Sequence, residues 1–133
     1  MTAKQLTETQ ETIAVAQWLK RRKIFFCHVP NEGHRGSREG SILKAMGTRK
    51  GIPDLLIFST IPEPFATPDG PRGYAIEMKR AADAAKPPAG ATPAQLYCLE
   101  QLRDAGWEAA VCYGAAEAIA QLVAWGFPEE SAL

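Results

Sequence analysis

The sequence lacks the features that define several large classes of protein. No apolar run reaches the roughly 20 residues that a transmembrane helix requires, and residues 1–17 are polar, without the apolar core of a secretion signal. We therefore expect a cytoplasmic protein. There are only three cysteines, Cys27, Cys98 and Cys112, and no two of them have CxxC spacing. This argues against a disulfide framework and a zinc site, so we expect all three to be small buried apolar residues.

The chain also lacks net charge, but its charges are unevenly distributed. Residues 20–50 carry nine basic side chains against two acidic ones, whereas residues 100–133 carry one basic side chain against six acidic ones. Zero net charge argues against strong non-specific binding to nucleic acid. A basic segment of this kind nevertheless suits a protein that binds phosphate backbones. The alternative interpretation is a solvated loop with scattered charges.

The length of 133 residues favours a single domain, spanning residues 1–133, with a real core. Apolar periodicity and turn residues predict helices over 7–22, 37–46, 92–105 and 115–125, and strands over 24–29, 54–59, 74–80 and 108–113. This order predicts an α/β protein with a mixed central sheet of about four strands flanked by helices. The residues expected to face the core from the first three helices are Ile13, Ala14, Ala16, Trp18 and Leu19; Ile42, Leu43 and Met46; and Leu96, Leu99 and Leu102.

Two of the predicted strands carry charged residues among apolar ones. Asp54 follows Pro53, which stiffens the approach of the chain, and precedes an apolar run. Glu77 and Lys79 are separated by one residue, so in a strand they share a face. If the two strands are adjacent, Asp54 and Glu77 can share a divalent cation, and hard oxygen ligands favour Mg²⁺ or Mn²⁺ over zinc. The cation would polarise a phosphodiester, while Lys79 could position water and stabilise developing negative charge.

Each half of this acidic motif is weak evidence by itself. An E-x-K sequence occurs by chance in many proteins, and its plain interpretation is a strand edge with one solvated face. The G-x-P-D sequence before a strand is equally weak. Their order, the proline-rich loop between them at 61–73 and the basic segment upstream make the combination more specific. Together they indicate a metal-dependent site for cutting phosphodiesters.

Longer segments around these residues resemble the VRR-NUC domain of the PD-(D/E)xK nuclease superfamily, in its stand-alone phage and bacterial form. The matching segments are VPNEGHR at 29–35, LKAMGTRKGIPDL at 43–55, EMKR at 77–80, TPAQ at 92–95, GW at 106–107 and VCY at 111–113. One departure is Glu32, where relatives often carry a second glycine. The resemblance covers about 11–122 and implies a restriction-endonuclease-like core.

The resemblance also implies roles for individual residues. Asp54 and Glu77 match the family's metal ligands, together with the main-chain carbonyl of Met78. Lys79 matches the catalytic lysine. Gln95 matches a glutamine near the active site that orients water or phosphate. The implied metal is Mg²⁺ or Mn²⁺.

One helical acid and a set of basic residues complete the implied site. Glu11 aligns with a helical glutamate that supports the metal, directly or through water, and its offset from Trp18 favours it over Glu8, one turn earlier. The plain interpretation of Glu11 is a first-turn acid favoured by the helix dipole. The candidate DNA-binding residues are Asn31, His34, Arg35, Arg38, Lys44, Arg49 and Lys50. A surface loop without a DNA role is the alternative for His34 and Arg35.

The activity that the resemblance implies is endonucleolytic cleavage of DNA, specific for branched structures such as four-way junctions. The implied assembly is a homodimer, without a membrane or a small-molecule cofactor, in the cytoplasm of a bacterial or phage-infected cell. The alternatives are a non-catalytic nucleic-acid-binding module with the same fold and a plain structural domain. Four aromatic residues could be base-stacking platforms, but their spacing fits core packing better: Trp18, Trp107, Trp125 and Tyr97.

Overall fold

The computed structural model describes residues 5–30, 37–59, 69–85 and 90–129. Within these ranges the helices are α1 (Glu8–Arg21), α2 (Ser37–Ala45), α3 (Pro93–Asp104) and α4 (Ala115–Trp125). The strands are β1 (Phe26–His28), β2 (Leu55–Ile57), β3 (Tyr74–Lys79) and β4 (Glu108–Tyr113), and a single 3-10 turn covers Ala81–Asp83. The predicted element order is confirmed. β4 and α4 have the predicted ends, whereas β1 and β2 are shorter than predicted.

The four strands form one mixed sheet in the order β1-β2-β3-β4. The first three strands pair antiparallel, and β3 pairs with β4 in parallel. In the β2–β3 pair Leu55 lies opposite Ile76. Since antiparallel registers run in opposite directions, Asp54 comes level with Glu77. The register therefore brings the two predicted acids together.

Helices cover both faces of the sheet. On one face Ile76 and Met78 of β3 belong to the main core with Val15 of α1 and Leu122 of α4, all fully buried. Each such side chain stabilises the fold by roughly 1.5–3 kcal/mol. On the other face Leu99 of α3 packs in a smaller cluster against β3 and β4. The prediction that Ile76 and Met78 point away from the acidic face is confirmed.

The starts of α1 and α3 are fixed by capping boxes. Thr92 caps α3 as predicted, with Pro93 at the first position, and its side chain accepts a hydrogen bond from the main-chain N–H of Gln95. In return the Gln95 side chain accepts one from the main-chain N–H of Thr92. α1 begins in the same way, with Thr7 and Gln10. Both helix starts are therefore encoded locally.

Several predicted core positions are wrong. No residue of α2 is buried: Ile42 is 54% exposed, and Met46, directly after the end of α2, is 76% exposed. In α1 Ile13 is half-exposed, and Val15 takes the inward position instead. Both helices carry apolar residues on more than one face, so periodicity alone did not select the buried one. In α3 Leu96 is also 40% exposed.

The expectations for the cysteines and aromatics hold only in part. Cys98 and Cys112 are buried as expected, but Cys27, on the edge strand β1, is exposed. Trp18 is buried, and the ring of Trp125 packs against that of Tyr74 in the core. Tyr97 is 50% exposed, which contradicts its expected place in the core.

No helix among the described residues is long and apolar enough to cross a membrane.

Candidate active site

Asp54 follows a loop that packs closely against the start of α3. Gly51 in this loop has a φ of +88°, a conformation that favours glycine. A Cβ at Gly51 would lie 2.6 Å from both the carbonyl carbon and the carbonyl oxygen of Ala94, closer than atoms can approach. Glycine is therefore required here for two reasons, and the contact fixes where Asp54 stands relative to α3.

The Asp54 carboxylate is held by the main chain of β3. Asp54 is buried, and its Oδ2 accepts a hydrogen bond of 2.6 Å from the main-chain N–H of Met78. On β3 the carbonyl of Lys79 accepts from Gly114, on the β4 side. Successive residues of a strand direct their main-chain groups to alternate neighbouring strands. The carbonyl of Met78 therefore points away from β4, to the β2 side of the strand, where Asp54 lies. Both main-chain groups of Met78 thus border the acidic centre.

Glu77 has one partnered oxygen and one without a partner. The side chain is only 1% exposed. Its Oε1 accepts a hydrogen bond of 2.7 Å from Nε2 of Gln95 and lies 3.6 Å from Nζ of Lys79. Its Oε2 is buried and has no hydrogen-bond partner among the described residues. A buried carboxylate oxygen left unsatisfied is costly, so this position is suited to a ligand that supplies positive charge.

The two acids perturb each other. Burial, and then the negative charge of Asp54, raise the pKa of Glu77 to about 8 from its ordinary value of 4.5. The nearby ammonium of Lys79 acts in the opposite direction. Carboxyl groups this close cannot both ionise readily without a compensating charge. Perturbed groups of this kind are concentrated at functional sites.

Gln95 connects the start of α3 with the charged residues of β3. Its Oε1 accepts hydrogen bonds from the main-chain N–H of Thr92 at 2.9 Å and from Nζ of Lys79 at 3.1 Å. Its Nε2 donates to Glu77. One amide therefore caps a helix and orients both charged side chains. The helix-capping half of this role was missed in the sequence, although the spacing of threonine and glutamine is that of a capping box.

Glu11 is engaged by main-chain groups from two distant parts of the chain. It is buried, its Oε2 accepts from the N–H of Ala81 at 2.9 Å, and its Oε1 accepts from the N–H of Ala115 at 3.2 Å. Ala115 is the first residue of α4, and Gly114 before it offers no side-chain cap. The Glu11 carboxylate thus stabilises the N-terminus of α4, where negative charge is favoured.

Glu8, one turn earlier in α1, interacts electrostatically with the charged residues of the acidic centre. Its side chain is exposed as a whole, but partial burial raises its pKa. The negative charge of Asp54 adds to this shift, while Lys79 opposes it. These interactions place Glu8 on the side of α1 that faces the centre. Glu8 therefore interacts electrostatically with the centre, whereas both carboxylate oxygens of Glu11 are engaged by main-chain N–H groups.

The predicted DNA-binding residues are only partly described. Asn31, His34 and Arg35 lie outside the described residues. The other four are exposed, on α2 and on the loop that leads to Asp54: Arg38, Lys44, Arg49 and Lys50.

The donors of the acidic centre fit a hard divalent cation. Among the described residues no three His, Cys, Asp or Glu side chains come close enough together to hold a metal ion. The centre is thus a pair of carboxylates, Asp54 and Glu77, beside a main-chain carbonyl. Mg²⁺ is typically bound by one or two carboxylates and keeps several waters, whereas structural zinc needs four protein ligands. The unpartnered oxygen of Glu77 agrees with this type of site.

The fold and the site define a mixed-sheet α/β domain with a buried carboxylate pair beside a lysine. The model of the VRR-NUC domain family matches residues 6–116, and the chain therefore belongs to that family, whose members are generally nuclease domains. A solved structure described as a VRR_NUC domain protein is similar over 98% of this chain and 100% of its own, with 27% sequence identity and a TM-score of 0.70. No curated protein sequence matches significantly.

Proposed function

We propose that this protein is a Mg²⁺- or Mn²⁺-dependent endonuclease that hydrolyses phosphodiester bonds in DNA. The observation that carries the proposal is the buried pair of Asp54 and Glu77, in which one oxygen of Glu77 has no partner among the residues that the structure describes. Burying two acids side by side opposes folding unless a cation compensates them. A structural domain gains nothing from such a pair, so a catalytic role explains it best.

The residues around the pair have separate tasks. Asp54, Glu77 and the carbonyl of Met78 would hold the cation, which when bound supplies Lewis-acid stabilisation of charge at the phosphate. Lys79, oriented by Gln95, donates hydrogen bonds to the attacking water and to a phosphate oxygen that gains charge.

We also propose that Glu8, rather than Glu11, is the helical acid of the site. It would accept a hydrogen bond from water near the reacting phosphate. The support is its electrostatic interaction with Asp54 and Lys79. Glu11 has both oxygens occupied by main-chain N–H groups.

The proposed substrate is branched DNA, bound by a homodimer. The exposed basic residues Arg38, Lys44, Arg49 and Lys50 lie directly upstream of Asp54 and would contact phosphates on either side of the cut. Two copies would present two sites to a four-way junction. Two exposed apolar residues, Ile42 of α2 and Met46 directly after it, support the dimer because they offer apolar surface to a second copy.

A cleavage assay tests the catalytic proposal. Linear and four-way-junction DNA would be incubated with the protein in Mg²⁺, Mn²⁺ or EDTA. The Asp54→Asn and Lys79→Met variants should each lose about 100-fold or more in rate. Asp104→Asn, which changes an exposed aspartate at the end of α3, should cleave as the wild type does. Cleavage that persists in EDTA or in Asp54→Asn would refute the mechanism, and binding without cutting in every metal would indicate a non-catalytic module.

Sedimentation of the protein, alone and with junction DNA, tests the dimer. The expected result is a dimer that makes two symmetric cuts. A monomer that cuts junctions symmetrically would refute the proposed assembly while leaving the chemistry intact.

A further inference from the structure

A pocket of about 210 Å³ lies between α3 and the loop that leads to Asp54. This is below the roughly 300–1,000 Å³ of sites for drug-sized ligands, so the pocket suits a single ring system. Its walls are formed by Arg49 and Ile52 from the loop and by Tyr97, Cys98, Gln101 and Leu102 from α3.

The walls of this pocket carry the groups that bind nucleobases. Ile52 and Leu102 are apolar, and the half-exposed ring of Tyr97 can stack on a base of any identity. The Gln101 amide offers both a donor and an acceptor to the edge of a base. The Arg49 guanidinium can bind the adjoining phosphate or lie flat on the base.

The pocket lies close to the proposed point of cleavage. Ile52 precedes Asp54 by two residues. Along α3, with a rise of about 1.5 Å per residue, Gln101 is only about 9 Å beyond Gln95. Successive phosphates of one DNA strand are about 3.4 Å apart along the duplex axis. The pocket is therefore within about three nucleotides of a phosphate bound at Gln95 and Asp54.

Contacts between the two walls hold the pocket open before any ligand arrives. Cys98 Sγ lies 3.5 Å from the carbonyl oxygen of Lys50, within hydrogen-bond distance. One residue on, Gly51 lies too close to the Ala94 main chain to admit a Cβ. A pre-formed pocket binds more tightly than one that must be ordered on binding.

We propose that this pocket binds one unpaired nucleobase of the cut strand, with Tyr97 stacked on its face, Gln101 at its edge and Arg49 at the adjoining phosphate. The inference rests on the proposed nuclease function and narrows its substrate to DNA with an unpaired nucleotide close to the cut. Taking a base out of the stack is least costly where it is mismatched or already single-stranded, as in a branched DNA with an unpaired arm. A fully paired duplex is therefore a poor substrate.

Abasic scanning of the DNA tests this pocket. Junction substrates would carry a single abasic nucleotide at successive positions within four of the cut, and binding would be measured in EDTA and cleavage in Mg²⁺. The protein variants are Tyr97→Ala, Tyr97→Phe, which keeps the ring, and Gln101→Ala. Leu96→Ala is the control, since it removes another exposed apolar side chain of α3 that does not line the pocket.

At one position the abasic nucleotide should weaken binding by wild-type protein about 5- to 150-fold, the usual range for losing one base–aromatic stack. The Tyr97→Ala variant should bind intact DNA more weakly than the wild type by a similar factor. On the DNA with that abasic nucleotide, the variant should bind almost as well as the wild type does, because both changes remove the same contact. Tyr97→Phe and Leu96→Ala should bind as the wild type does.

Three results would overturn the pocket assignment: independent, multiplicative losses for Tyr97→Ala and the abasic nucleotide, no effect of either change, or equal losses for Tyr97→Phe and Tyr97→Ala. If the wild type still cleaves DNA in those cases, only the pocket assignment fails. If the wild type neither binds nor cleaves DNA, the proposed function fails with it.

Discussion

Substitution of glutamine for glutamate should have different effects at two positions one turn apart in α1. Glu11 accepts hydrogen bonds from the N–H groups of Ala81 and Ala115, whereas Glu8 interacts with the charges of the acidic centre. Glutamine keeps the shape of glutamate but has one acceptor oxygen and no charge. We expect Glu11→Gln to reduce stability and Glu8→Gln to reduce cleavage.

The size of the stability loss follows from the Glu11 contacts. One charge-assisted hydrogen bond, of about 1.5–3 kcal/mol, is lost, because an amide N–H₂ would face a main-chain N–H. The interaction of the charge with the N-terminus of α4 contributes about 0.3–1 kcal/mol more. The expected loss for Glu11→Gln is therefore about 2–4 kcal/mol, which for a domain of this size lowers Tm by roughly 8–15 °C. Glu8→Gln should stay within about 0.5 kcal/mol of the wild type.

Thermal unfolding in EDTA and single-turnover cleavage in Mg²⁺, measured on both variants, separate the two roles. Glu8→Gln should cleave about 10- to 100-fold more slowly, as expected when a group that supports a metal site is changed. Glu11→Gln should cleave at close to the wild-type rate at temperatures where it is folded. A stable Glu11→Gln protein without activity would refute the reasoning and return the role of helical acid to Glu11.

Three further predictions follow from the site. Gly51→Ala should lose about 2–4 kcal/mol of stability, because φ is +88° and the added methyl group would meet the Ala94 main chain at 2.6 Å. Gly47→Ala, at a φ of +102° with open space around it, should lose only about 1–2 kcal/mol. Equal denaturation midpoints for the two variants would contradict the close contact. In EDTA the wild type should lose stability as the pH rises from about 4.5 to about 8. Folding raises the pKa of Glu77 to about 8, so in this window the folded state keeps a proton that the unfolded state has released. Glu77→Gln should lack this loss and be the more stable protein at pH 8, and an unchanged slope in the variant would count against the raised pKa. Gln95→Ala should lower the free energy of unfolding by about 1–2 kcal/mol, because part of the helix cap is lost, and it should also lower the cleavage rate. A loss of stability without a loss of activity would rule out the role of Gln95 in orienting Lys79.

The parts of the fold that the sequence predicts well are those with local signals. α3 starts at Thr92 and Pro93 and α4 ends at Gly126, because capping threonine, proline and a glycine with positive φ act within a few residues. The inward faces of α1 and α2 were harder to predict. Ile13 and Ile42 look like core residues by type, but burial depends on what packs against the helix, and no residue of α2 is buried.

The acidic centre shows the same division. The sequence predicts that Asp54 and Glu77 share a site only if their two strands are adjacent, and the antiparallel pairing that places Leu55 opposite Ile76 meets this condition. The separation of Glu8 from Glu11 was not predictable in this way. The partners of Glu11 are 70 and 104 residues away in the sequence, and only the folded chain brings their N–H groups to it.

The start of α3 and the geometry of the site depend on the same contacts. Gln95 cannot leave Lys79 and Glu77 without also releasing the N–H of Thr92. Gly51 cannot move away from Ala94 without shifting the loop that carries Asp54. The buried carboxylates do not stabilise their own arrangement in the absence of a cation, so it must be imposed by this helix start and by the apolar cores on both faces of the sheet. Stability of the metal-free protein and precision of the site should therefore fall together when the start of α3 is disturbed, and separately when Glu77 is neutralised.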